Sequence, residues 1–156
     1  MLPEVLFLKY AFPCAFIIRQ RGEISFEEFQ RLEFAAAHDD PLPRMVLEKI
    51  FFRAFQRIDK VATRLHKDRW DAEVIREYFV VEHNKIIDEG MYSYMEAPSS
   101  LKELCKVQVG VVVAVDEETL VVEYNGKRRP LLRLLLPQAQ IGAKVLFHYG
   151  YAVEFA

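Results

Sequence analysis

Cysteine is scarce in this chain, with two in 156 residues. That count excludes a disulfide scaffold, and two thiols alone cannot complete a four-cysteine zinc site. An excess of one charge is also lacking. The formal net charge is −2, which argues against a global polycation for nucleic acid or membrane surfaces. No apolar run reaches the roughly 18 residues of a membrane helix. The start, Leu2-Pro3-Glu4-Val5-Leu6-Phe7-Leu8-Lys9, has an acid where a signal peptide has a base, and Pro13 interrupts the apolar stretch that follows. The expected placement is cytoplasmic, with both thiols reduced. No glycine-rich phosphate loop, G-x-S-x-G elbow, H-E-x-x-H or Cys-x-x-Cys pattern occurs. A stand-alone enzyme is therefore not expected.

Bulky apolar material is abundant. Twelve Phe, seven Tyr and one Trp exclude disorder over the whole chain. The length suits one ordinary domain or two small ones. The pattern changes near residue 97, helical before it and β after it. The expected fold class is α+β, with an N-terminal all-α helical bundle followed by a small OB-like β-barrel. The expected division is a helical domain over 1–96, a linker over 97–104 and a barrel over 105–156. Formal charge divides as −3 for residues 1–104 and +1 for 105–156.

Four helices are expected in the first part. One runs from about Pro3 to Gln20, perturbed at Pro13, which lacks an amide donor and disfavours helix at Phe12. Gly22 is its stop. Ser25 and Glu28 have capping-box spacing for a helix reaching about His38. In a third helix Leu47, Phe51, Phe55, Ile58, Val61, Ala62 and Leu65 recur at spacings of three and four. Asp68 is placed to cap a fourth, with Asp71 in its first turn and a fade near Gly90.

Five strands are expected after that. Val107 to Val115 is the first, with Gly110 marking a bulge or a close backbone approach. Leu120 to Tyr124 and Lys127 to Leu132 flank Asn125-Gly126, a strong hairpin signal. Pro130 implies an edge or bulge. Lys144 to His148 and Tyr151 to Phe155 complete the set. Five short strands in about 50 residues suggest a barrel of OB type.

Few residues carry candidate chemistry. Cys14, between Pro13 and Ala15, reads as a small buried hydrophobe. Cys105, next to Lys106 at the joint, could be part thiolate and so a metal ligand or nucleophile. His38 and His66 lie near helix ends, where a cation complements the dipole. His83 reads as solvated or half-buried. His148 ends a strand beside Gly150, where loops often carry function. Lys127, Arg128 and Arg129 form a short basic run, either a solvated hairpin or a nucleic-acid surface. Only Tyr124 accompanies it as a stacking aromatic, so nucleic acid is not the expected partner.

Residues 105–156 resemble the HypC/HupF family of [NiFe] hydrogenase maturation chaperones. The similarity starts at Cys105-Lys106-Val107-Gln108-Val109-Gly110-Val111-Val112. It continues through Asp116, Leu120 to Tyr124, Gly126, Arg128-Arg129 and Leu135-Leu136-Pro137. It ends on an ungapped run from Ile141-Gly142 through His148-Tyr149-Gly150 to Glu154. The resemblance implies a chaperone or scaffold that engages a maturation partner or the hydrogenase large-subunit precursor. It implies that Cys105, with His148 nearby, transiently engages iron carrying cyanide and carbon monoxide, or the partner itself. Gly110, Gly142 and Gly150 are the supporting barrel motif. Two departures stand out: about a hundred residues precede Cys105, and Val109 replaces the family's usual proline. A metal-free interaction adaptor is the alternative reading, with Cys105 a hinge residue.

Overall fold

The computed structural model describes residues 1–91 and 97–156. The chain divides into two compact units, Met1–His83 and Asn84–Ala156. The division precedes the composition change near residue 97, and residues expected as linker instead form a helix, Ser99–Cys105. The physical reason lies in the second unit. Asn84 Nδ2 donates to the Val107 carbonyl at 2.7 Å, and Val107 N donates to Asn84 Oδ1 at 2.8 Å. One side-chain amide thus serves both backbone polar groups of the first strand residue. Lys106 pairs with Asp88 beside it.

The first unit is helical: α1 (Pro3–Ala11), a 3₁₀ turn (Phe12–Cys14), α2 (Ala15–Gln20), α3 (Phe26–His38), α4 (Arg44–Ile50), α5 (Phe52–Leu65), α6 (Ala72–Glu77) and a π-helical turn (Tyr78–Glu82) that leads into α7 (His83–Asp88). Pro13 breaks the first apolar helix as expected, through the 3₁₀ turn. Gly22 ends the segment with φ +75. The capping box at α3 is complete: Glu28 N donates to Ser25 Oγ at 3.1 Å, and Ser25 N to Glu28 Oε1 at 3.0 Å.

The third expected helix is interrupted. At Phe51 the backbone leaves helical angles (φ −101, ψ 37), separating α4 from α5. Leu47, Phe51 and Phe55 all remain buried across that swivel. Phe7 explains it as a packing solution, because its ring meets Phe51 edge-on at 5.5 Å and Phe55 at 4.6 Å. Trp70 and Phe79 complete this aromatic core at 5.6 and 5.9 Å from Phe7. The cap of α6 is Asp71, whose carboxylate accepts from Glu73 N at 2.8 Å. Asp68 accepts from Trp70 N in the preceding turn, so it orders the approach rather than the helix.

The second unit holds the rest of α7, then α8 (Ser99–Cys105) and five strands: β1 (Val107–Val115), β2 (Thr119–Tyr124), β3 (Lys127–Leu132), β4 (Lys144–His148) and β5 (Tyr151–Phe155). The architecture is therefore mixed α+β, with the helical part N-terminal. The strand order β1-β2-β3-β5-β4 returns to β1, because β1 pairs with both β2 and β4. All ladders are antiparallel except β3–β5, a parallel contact at Leu132 and Tyr151. Pro130, which has no amide to donate, lies on β3 just before that thin seam. Asn125 and Gly126 both have positive φ (48 and 72), as a type I′ hairpin turn requires. A bulge falls between Val112 and Ala114, not at Gly110. The enclosed core includes Val112, Leu120, Val122, Leu131, Val145 and Phe147.

Candidate functional site

Cys105 closes α8, and after one extended residue (Lys106, φ −72, ψ 146) the chain enters β1 at Val107. Val107 faces His148 in the β1–β4 ladder. Cys105 therefore joins the closed sheet at the end where His148 sits. Both side chains are buried, Cys105 at 2% and His148 at 0% relative exposure. His148 is held at the last position of β4, before the two-residue connection Tyr149-Gly150, in which Tyr149 takes φ 57. Backbone register thus places a thiol and an imidazole at the same end of the sheet.

The glycines of the barrel motif differ in their necessity. A Cβ on Gly110 would lie 2.9 Å from Val122 Cβ and 3.2 Å from the Phe147 ring. Here β1 lies too close to its neighbours for any side chain, so the close-approach reading holds. Gly142 has φ +90, a conformation that favours glycine. Nothing lies within 4 Å of the Cβ position of Gly150.

The basic run separates into individual roles. Lys127 and Arg128 are exposed, and Arg128 Nε pairs with Glu123 across the β2–β3 ladder at 3.2 Å. Arg129 is half-buried. Its guanidinium lies over the Tyr124 ring at 5.0 Å and the Phe147 ring at 5.2 Å. It shares the side of β3 that buries Leu131, so it packs against the core. The hairpin thus offers two exposed cations rather than three.

The helical unit contains an arrangement that spacing did not indicate. His83 is buried at 5% exposure, deeper than the expected solvated or half-buried helical residue. Its ring lies 6.0 Å from Tyr78 and 6.1 Å from Phe79. Cys14 is partly exposed, not fully buried. Its Sγ and a ring nitrogen of His83 lie within 4.8 Å of each other. The two residues are 69 positions apart in sequence, so no local motif could reveal the pair. Proline before Cys14 was the one available signal, since it dictated a distorted turn there.

The other two histidines sit at helix ends. His38 Nδ1 lies 2.8 Å from the Phe34 carbonyl, and its ring stacks on Phe34 at 4.1 Å. His66 takes φ 54 at the end of α5 and lines a shallow cleft with Asp59, Thr63, Lys67, Asp68 and Arg69. The cations of that cleft are already engaged. Hydrogen bonds to Asp59, and then to Glu48, raise the Arg69 pKa despite some desolvation. A hydrogen bond to Glu73 raises that of Lys67.

No helix among the described residues is long and apolar enough to cross a membrane. No protein-family model and no curated protein sequence matches the chain.

Proposed function

We propose that the C-terminal unit is a small OB-like β-barrel of HypC/HupF kind, and that the protein is a hydrogenase-maturation accessory factor. It would engage a maturation protein or the large-subunit precursor, with iron carrying cyanide and carbon monoxide as transient cargo at Cys105 and His148. The observation that carries this reading is the closed order β1-β2-β3-β5-β4 with Cys105 and His148 at one end of it. Five strands closing in a Greek-key order are the OB arrangement. Thiolate and imidazole are both acceptable iron ligands. The role proposed is that of a scaffold and not of a catalyst.

The burial of Cys105 favours one second reading, a metal-free adaptor in which Cys105 is a packing residue. The experiment that separates the two is anaerobic co-purification of the full chain with its partners, followed by infrared spectroscopy. Cyanide and carbonyl bands in the wild type, absent from Cys105→Ala, are the expected result. Bands that persist in the variant, or a wild type with partners bound and no bands, would leave only the adaptor reading.

A further inference from the structure

We infer that Cys14 and His83 act as donors to a monovalent thiophilic cation, namely Cu(I). Three observations within the helical unit converge on it. The first is distance. Cys14 Sγ and a His83 ring nitrogen lie within 4.8 Å. Metal–sulfur and metal–nitrogen bonds of about 2.3 and 2.0 Å span at most about 4.3 Å between donors. A small rotamer change therefore lets one ion bridge them.

The second observation is backbone geometry. Cys14 closes the 3₁₀ turn created by Pro13, and His83 directly follows the π-helical turn Tyr78–Glu82. Inserted π turns are frequent at functional positions, and here one presents an imidazole toward a thiol.

The third is the chemistry of the surroundings. Thiolate selects Cu(I), zinc and iron–sulfur centres, and imidazole suits copper and zinc among others. The imidazole is nine-tenths or more buried, beside the rings of Tyr78 and Phe79. Burial disfavours net charge. A thiolate, a neutral imidazole and Cu(I) sum to zero charge, whereas a divalent ion would leave +1. The partly exposed thiol is the side from which the ion arrives. On binding, the sulfur–copper bond forms and the thiol proton leaves to solvent.

The test uses the full chain under argon, with Cu(I) offered from the chromophoric chelator bicinchoninate. The expected result is uptake of one equivalent, with an X-ray absorption spectrum whose first shell contains both sulfur and nitrogen. Cys14→Ser and His83→Gln should each weaken the affinity at least tenfold, and Cys105→Ser should leave it unchanged. A tenfold excess of zinc should not displace the copper. Cys14→Ser binding as tightly as the wild type, a copper shell without sulfur, or displacement by zinc would overturn the proposal. Should the variants fail to fold, alkylation of wild-type Cys14 by iodoacetamide gives the answer by peptide mass. Protection by Cu(I) supports the site, and an unchanged alkylation rate overturns it.

Discussion

Gly110 is the residue at which sequence and packing meet most directly. In sequence it interrupts a valine-rich strand, and in the fold its missing Cβ lets β1 approach Val122 and Phe147. Gly110→Ala places a methyl group 2.9 Å from Val122 Cβ. The neighbours are strand residues that cannot swing aside, so overpacking should cost about 1–3 kcal/mol. Equilibrium urea unfolding checks this, and an unchanged midpoint would mean that the sheet relaxes at no cost. Gly150→Ala should shift the midpoint far less, since open space surrounds that Cβ position. Residue identity also misled in places. Arg129 belongs to a basic run in sequence, yet its guanidinium rests on Tyr124 and the fully buried Phe147. Alternation along β3 places Arg129 on the face of Leu131, and a planar cation tolerates that position by stacking on rings. His83 looked like any helical histidine because nothing local announces a π turn or a partner in another helix.

Caps and ties set the limits of the elements. The capping box of α3 was readable from Ser25 and Glu28 alone, because both bonds form within four residues. The break between α4 and α5 was not readable, because it answers to Phe7 in a distant helix. Glu23, in the turn before α3, makes a two-pronged contact with Arg53 in α5, at 2.7 and 2.5 Å. The hydrogen bond from Arg53 is the main cause that holds the Glu23 carboxyl below its ordinary range; slight desolvation opposes it. Since the folded pKa is depressed, the stabilisation is present above the unfolded carboxylate pKa of about 4.3. It is lost as pH falls through the lower folded value. Wild type should therefore be more stable than Glu23→Gln at pH 7, and the difference should close as pH drops below about 4. Paired urea melts at pH 7 and pH 3 measure it. A difference that is constant with pH would show that the contact acts through shape and not charge.

At the scale of the whole molecule, the division falls between His83 and Asn84, inside a continuous helical run. Asn84, the first residue of the C-terminal unit, holds the start of β1, because its amide occupies both backbone groups of Val107. Asn84→Ala leaves those part-buried groups without that amide, at a cost of about 2–4 kcal/mol. Faster hydrogen exchange at the Val107 amide, together with a lower unfolding midpoint, is the expected outcome. Unchanged protection there would mean that the strand start needs no such support. Composition indicated helices first and strands second. The alternation of residues 107–155 indicated five strands and the Asn-Gly turn. Those features are local, set by period, turn chemistry and cap spacing, and the sequence by itself determined them. Which strand closes against which depends on long-range ladders such as Val107 with His148, and tertiary structure decided that. It also decided that Cys105 is buried and that Cys14 and His83 approach each other. Residues far apart in sequence meet only when the packing of whole elements places them together, and no local period records such a meeting.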